Sequence, residues 1–325
     1  MKMSLKENLL ELLQKSSGEF LSGERAAETL GVSRTAVWKA VTSLKNEGCN
    51  IESVTNRGYR LSADTDVLSA YGINNFLGKQ AKNYDISVLG TVTSTNALIK
   101  AEAAKNAPEG RIIIAAEQTA GRGRFGRSFF SPTGSGLYIS ILLRPTLPVT
   151  AAVSVTAAAA AAVAEAVETV SGKKAGIKWV NDVLTDNKKV CGILTEAALD
   201  VESGALSYAV LGIGVNVYQP QGGFPEDIKN KAGALCDTKQ PGLKNRLASE
   251  IITRFFGYYS SLTAKTYLDS YRARCIVPGK KITVLSGSEE IPALALGIDD
   301  DCRLLVKYED GKEEYLSSGE ISIRL

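Results

Sequence analysis

The chain has 325 residues, 44% of them hydrophobic and 22% charged, and 38 Lys/Arg against 35 Asp/Glu leave a net charge of +3. That length suits two or three domains with a sizeable core, and so small a net charge confines any nucleic-acid contact to local clusters. Histidine is absent, which excludes Ser-His-Asp and Cys-His nucleophiles, histidine metal sites and imidazole acid–base chemistry.

Residues 1–64 read as three short helices and a β-wing. The start, Met1 to Glu7, is charged and amphipathic, unlike a signal peptide. Leu5, Leu9, Leu12 and Leu13 fall at helical spacing and predict a buried leucine stripe. Ser22 is placed to cap a second helix ending near Leu30, with Gly31 supplying the turn. Ser33 caps a third helix in which Val37, Ala40, Val41 and Leu44 share one face and Arg34, Thr35, Trp38, Lys39 and Thr42 point outward. That pattern is a helix-turn-helix whose second helix suits a major groove. Ile51 to Leu61, turning at Asn56-Arg57-Gly58, forms a hairpin wing carrying Arg57 and Arg60. The segment holds nine Lys/Arg against eight Asp/Glu, which also fits a helical interaction module. Arg34, Lys39 and Lys45 have no acid between them, and this favours DNA.

Residues 65–273 read as an α/β domain. Strands are expected at 86–89, 112–115, 137–143 and 209–213, and helices at 96–107, 151–170 and 243–262. Connections so uneven imply a mixed sheet with helices packed on it. The alanine-rich run from Ala151 to Ala164 falls short of the roughly 20 residues of a membrane span and reads as a buried helix. Five cysteines without a C-x-x-C pair fit reduced thiols in a cytoplasmic protein and make zinc unexpected; no metal site is predicted. Residues 274–325 read as short strands, with Glu309-Asp310-Gly311 as a hairpin turn.

Two segments carry the chemistry. The ribbon Ala120-Gly121-Arg122-Gly123-Arg124-Phe125-Gly126-Arg127 interleaves guanidiniums with glycines that expose backbone N–H groups, an arrangement suited to phosphate or carboxylate. It fits neither the P-loop nor the G-x-G-x-x-G spacing, and alone it reads equally as a solvated basic loop, an RNA-binding segment or an active-site loop. Downstream lies Lys178-Trp179-Val180-Asn181-Asp182-Val183-Leu184, with Asn181 and Asp182 expected on a loop after an apolar strand.

Taken in order with Glu117-Gln118-Thr119, Ser131-Pro132, Gly136 to Ser140, Cys191 to Glu196 and Gly212 to Val217, these segments resemble the biotin protein ligase family, of the kind that also represses the biotin operon. The resemblance spans most of the chain. It implies an α/β (α+β) multidomain protein with an N-terminal winged helix-turn-helix, a central mixed-sheet domain like a class II synthetase, and a C-terminal SH3-like β-barrel. It further implies biotin and ATP as substrates, magnesium arriving with ATP, a biotin carboxyl carrier protein and operator DNA as partners, and a homodimer when the adenylate is bound, with no membrane. By the same resemblance Ser94, Thr95, Asn96, Gln118, Gly121, Arg122, Gly123, Arg124 and Lys189 bind biotin, and Arg124, Lys178, Asn181, Asp182 and Asn216 face ATP. Arg124 and Lys189 are the expected catalytic residues, Arg124 on the α-phosphate and Lys189 on the biotin carboxylate and the phosphate, with Lys188 as the rival of Lys189. Ser33, Arg34, Thr35, Trp38, Lys39 and Arg57 are expected on DNA. Plain helix capping is an alternative role for Ser94-Thr95-Asn96, and Trp179 reads as packing. Phe129 and Phe224 are looser candidates near biotin and adenine. A lipoate or octanoyl transferase usually carries a histidine motif, and a simple effector-binding repressor leaves Arg122, Arg124, Lys178 and Lys189 without a task.

Overall fold

The computed structural model describes residues 4–16, 18–46, 49–62, 65–145, 151–199, 206–286, 289–317 and 320–323. The chain separates into two compact units, Met1–Lys82 with Thr238–Ser249, and Asn83–Asp237 with Glu250–Leu325. The expected border at residue 64 falls on Ala63-Asp64, outside the described residues.

In the first unit α1 (Leu5–Lys15) opens with a capping box between Ser4 and Glu7, α2 (Gly23–Leu30) is capped by Ser22 and closed by Gly31 at φ 64°, and α3 (Arg34–Asn46) follows. Val37, Ala40, Val41 and Leu44 are the buried face of α3, packed with Leu9, Leu10 and Leu13. The wing pairs β1 (Ile51–Val54) with β2 (Gly58–Leu61), and Leu21 bridges to Tyr59 through two backbone bonds of 2.8 and 2.9 Å. A helix that the sequence reading passed over, α4 (Ala70–Leu77), is capped by Ser69. Its only buried side chains are Ile73 and Leu77, too few for a visible period. Asn245 clamps this segment, accepting from Ser69 N–H at 3.0 Å and donating to Val67 O at 2.7 Å. Beside it, Lys244 N–H donates to Asp66 at 3.0 Å, and burial lowers the pKa of the Lys244 ammonium.

The second unit is built on a seven-stranded mixed sheet. Its strands are β3 (Asp85–Val92), β4 (Arg111–Gln118), β5 (Gly136–Leu143), β6 (Gly176–Lys178), β7 (Asp182–Thr185), β8 (Lys188–Leu199) and β9 (Leu206–Asn216), in the order β3-β4-β5-β9-β8-β7-β6. Only β3 and β4 run parallel. Helix α5 (Thr95–Ala103) lies on one face through Ile99 and Ala103 against Ile113, Leu142 and Val210. It ends earlier than expected, in a turn at Asn106 with φ 59°.

On the opposite face, α6 (Ala151–Ser171) meets β8 where Thr156 Oγ1 and Thr195 Oγ1 lie 2.7 Å apart. Its 21 residues exceed the alanine run and reach the length and apolarity of a membrane span, but Ala157 to Ala164 are all fully buried, as in a core helix.

Helix α7 (Leu243–Tyr259) and the short α8 (Leu268–Arg274) precede an antiparallel sheet. Its strands are β10 (Lys281–Ser286), β11 (Glu289–Ile298), β12 (Leu304–Tyr308), β13 (Glu313–Leu316) and β14 (Glu320–Ile323), ordered β13-β12-β11-β10-β14. Trp179, buried, joins the two sheets by donating Nε1–H to Cys302 O at 2.8 Å, and it also borders the cavity described below.

Candidate functional site

Strand alternation puts Tyr138 and Ser140 of β5, Gly212 and Gly214 of β9, and Gly192, Leu194 and Glu196 of β8 on the sheet face that carries α5. Beyond the N-terminus of α5 this face forms the floor of a cavity of about 1460 Å³. Three glycines there leave room for neighbouring side chains. A Cβ at Gly214 would come within 2.6 Å of the Phe129 ring, one at Gly192 within 3.1 Å of Lys189 Cε, and one at Gly212 would collide with the Asn96 amide. Nine Lys and Arg line the cavity against four Asp and Glu, so the space favours an anion.

One end is neutral and polar. Ser94 starts α5 without a side-chain capping bond, so capping does not account for it. Thr95 N–H donates to Gln118 Oε1 at 2.9 Å, and Gln118 Nε2 donates to Ser131 Oγ at 3.1 Å. Ser140 Oγ lies 2.7 Å from Thr95 Oγ1 and donates to Asn96 Oδ1 at 2.5 Å. Asn96 Nδ2 in turn donates to Glu196 Oε2 at 2.7 Å, and Lys100 of α5 closes on the other oxygen of that carboxylate. Burial raises the Glu196 pKa, but the hydrogen bonds from Lys100 and Asn96, with the charges of Lys100 and Arg122, outweigh it and hold the group below the ordinary glutamate value.

The charged end is assembled from distant segments. The ribbon folds back on itself: Gly123 N–H donates to Arg127 O at 2.7 Å, and Phe129 N–H to Gly121 O at 2.9 Å. Gly121 is confined there, since a Cβ would fall 2.6 Å from Ser131 Oγ. The fold aims Arg124 across the cavity, where Nη1 donates to Asn181 Oδ1 at 2.9 Å. Asn181 is itself fixed to β8 by Nδ2–H to Ile193 O and by Ile193 N–H to its own carbonyl, both 2.9 Å.

Asp182, expected on a loop with Asn181, is instead the first residue of β7, paired with Lys178 and Gly192 on the flanking strands. Lys189 Nζ lies 2.6 Å from Asp182 Oδ1, an ion pair by distance that lacks the alignment of a hydrogen bond. The strand is extended at Lys188-Lys189. Lys189 therefore reaches over Gly192 while the Lys188 side chain packs on Gly233, although both border the cavity. The turn between β7 and β8 places Asp186 and Asn187 at φ 51° and 59°, as a tight two-residue hairpin requires. Lys178, Asn216 and Phe224 complete the wall.

The structure thus brings Ser94, Thr95, Asn96, Gln118, Arg122, Gly123, Arg124, Lys178, Asn181, Asp182, Lys189 and Asn216 to one cavity, with Gly121 at the base of the ribbon. Sequence reasoning missed Lys100, Ser140 and Glu196. Glu196 offers one signal: it is a carboxylate two and four residues beyond Leu194 and Gly192, on the same face of β8. Among the described residues no group of three or more Cys, Asp or Glu is placed to hold a metal ion. All five cysteines are free, and burial raises the pKa of the Cys191 thiol.

In the first unit Arg34, Thr35, Trp38 and Lys39 are exposed on α3, Trp38 at 57%. Ser33 spends its hydroxyl oxygen on Ala36 N–H at 3.2 Å. Arg57 and Arg60 stack on Phe20, and Lys45 is tied to the wing through Ser53 at 2.8 Å.

Residues 88–216 match the biotin/lipoate A/B protein ligase family, residues 6–60 a helix-turn-helix domain, and residues 278–324 the biotin protein ligase C-terminal domain. The bifunctional ligase/repressor BirA of Bacillus subtilis (strain 168) is 33% identical over 98% of this chain and 98% of its own length. The chain belongs to the biotin protein ligase family. Within it, the bifunctional ligase/repressor BirA of Escherichia coli (strain K12) is 30% identical over 95% of this chain and 94% of its own. The biotin protein ligase of Aquifex aeolicus, solved in complex with biotin and ATP, is 28% identical and superposes with a TM-score of 0.61 over 74% of this chain and 98% of its own.

Proposed function

We propose that this member of the family is a bifunctional biotin protein ligase and biotin-responsive repressor. It joins biotin to ATP as biotinyl-5′-AMP and passes the biotinyl group to one lysine of a biotin carboxyl carrier protein. The observation that carries this reading is the division of one cavity into a neutral hydrogen-bonding end at Ser94, Thr95, Asn96 and Gln118 and a cationic end at Arg124 and Lys189. A cyclic urea fits the first end and an acyl phosphate the second.

In the first step a biotin carboxylate oxygen attacks the α-phosphorus of ATP, the new O–P bond forms, and the P–O bond to pyrophosphate breaks. The carboxylate is ionised at neutral pH, so a chain without histidine lacks nothing for this step. Arg124, held by Asn181, balances charge on the α-phosphate, and Lys189 holds the carboxylate beside it. Arg122 and Gly123 close the ribbon over the product. In the second step the amine of the carrier lysine attacks the acyl carbon, AMP leaves, and Asp182 orients the amine. Lys178 and Asn216 complete the nucleotide side. Asp182 would hold a magnesium ion arriving with ATP, which would supply positive charge to the phosphates.

Residues 1–64 supply operator binding through Ser33, Arg34, Thr35, Trp38, Lys39 and Arg57, residues 65–273 the catalysis, and residues 274–325 an SH3-like barrel. The adenylate-bound form is a homodimer in the cytoplasm. ATP–pyrophosphate exchange tests the enzyme half: exchange supported by biotin and not by lipoate is expected, and equal exchange with both would favour a lipoate-type ligase.

A further inference from the structure

The neutral end of the cavity has a direction that its proton positions fix. A carboxylate only accepts, so the Asn96 atom facing Glu196 at 2.7 Å is Nδ2. Oδ1 then faces Ser140, and because Oδ1 also only accepts, the one Ser140 hydroxyl proton is committed to it at 2.5 Å. Ser140 Oγ has lone pairs alone to offer Thr95 Oγ1, 2.7 Å away, so that bond runs from Thr95 to Ser140. Thr95 Oγ1 also lies 3.0 Å from Gln118 Oε1, but its single proton is already turned to the closer Ser140. Gln118 Oε1 is pinned in place by Thr95 N–H and by the Nε2–H bond to Ser131. The cavity end of the chain therefore shows two acceptors with no proton between them, a deficit that a ligand N–H relieves.

We propose that Glu196 is a positioning residue whose charge, anchored by Lys100, orients the chain Thr95→Ser140→Asn96→Glu196 and so makes Thr95 and Gln118 acceptors for the N–H groups of a cyclic urea. Glu196 sits on the cavity face of β8 but does not border the cavity, and Asn96 bridges to it over the bare backbone of Gly212. Arg122 adds positive charge near the same carboxylate, which keeps it ionised. The inference rests on the reading of this end as the biotin pocket.

Glu196→Gln tests it without a change of shape. Lys100 retains Oε1, so the new amide nitrogen faces Asn96, which must turn over. Ser140 then donates to Thr95 in place of Asn96, Thr95 turns its proton toward Gln118, and the acceptor pair is filled. Calorimetric titration of the full chain with biotin, and with the two cyclic carbamates in which one or other ureido N–H is replaced by oxygen, reads the result. Wild type should discriminate against at least one carbamate, as a site built to bond an N–H does. Glu196→Gln should weaken biotin by about tenfold or more, the scale of one unpaired buried polar group, and lose most of that discrimination, with ATP affinity unchanged. The double variant Lys100→Met/Glu196→Gln frees Oε1 to turn back to Asn96 and should regain biotin affinity over the single variant. The proposal is overturned if Glu196→Gln binds biotin and the carbamates as wild type does, or if the double variant binds no better than the single. A wild-type protein that binds no biotin would instead remove the underlying reading of the pocket.

Discussion

Arg124→Ala tests the proposed contact between the Arg124 guanidinium and the α-phosphate. The side chain crosses from the ribbon to Asn181, and that 2.9 Å bond holds the guanidinium over the cationic end of the cavity. Truncation removes a donor to charge developing on the α-phosphate, which costs about 3–4 kcal/mol in comparable sites. It also deprives Asn181 Oδ1 of a partner already present in the free protein, a loss of about 1 kcal/mol that falls on stability and not on the barrier. Asn181 keeps its two bonds to Ile193, so the β7–β8 hairpin stays in place. The transition-state loss amounts to about 10²- to 10³-fold in the rate of adenylate formation, taking about 1.36 kcal/mol per decade. Arg124→Lys restores the charge but not the forked reach to both Asn181 and phosphate, and it should fall between the two. Single-turnover formation of biotinyl-5′-AMP, with thermal melting as the folding control, measures the effect. A rate for Arg124→Ala within about threefold of wild type would refute the placement of this guanidinium on the phosphate.

Lys189→Ala should impair both half-reactions more than Lys188→Ala, because alternate residues of β8 face opposite ways and only Lys189 meets Asp182; equal activities in stopped assays of each half-reaction would dissolve the distinction. Removal of residues 1–64 should abolish the gel shift of a biotin-operon promoter fragment and also lower the melting temperature, since Ser69 loses its 2.6 Å bond to Gln14 and the first unit extends to Lys82; a full-length protein that shifts no such fragment at low salt with biotin and ATP would end the repressor reading. Biotinyl-5′-AMP should strengthen dimerisation in sedimentation equilibrium, because ligand binding and association linked through the ribbon must favour each other. An association constant that does not respond to the adenylate would remove that coupling.

The winged helix was legible because its signals are local. The leucine stripe of α1, the Ser22 cap and the Gly31 turn each lie within a few residues of the structure they determine. The ribbon and the Lys178 to Leu184 segment were legible as motifs, since guanidiniums among glycines and a charged pair beside a tryptophan are unusual compositions. What could not be read was contact between distant residues. Asn96 meets Ser140 and Glu196 across 44 and 100 positions, and no period or cap marks such a meeting. The glycine floor looked like three unrelated strand glycines until register aligned them across β8 and β9. Asp182 was misplaced for a local reason: a polar Asn-Asp pair after Trp179-Val180 reads as loop, whereas pairing on both sides makes Asp182 the start of a strand. Helix α4 escaped because eight residues containing Gly72 and two asparagines carry little helical signal, and its partner Asn245 lies far along the chain.

The central claim is that one cavity holds the cyclic urea of biotin at its neutral end, joins the biotin carboxylate to the α-phosphate of ATP at its cationic end, and hands the acyl group to a protein lysine. Mass spectrometry of a biotin carboxyl carrier domain incubated with the full chain, ATP and an equimolar mixture of biotin and lipoate tests it most directly. A single biotinyl addition on one lysine, dependent on ATP and accompanied by biotinyl-5′-AMP in the small-molecule fraction, is the expected result. A lipoyl addition of equal yield, or no acylation while biotin remains bound, would contradict the account.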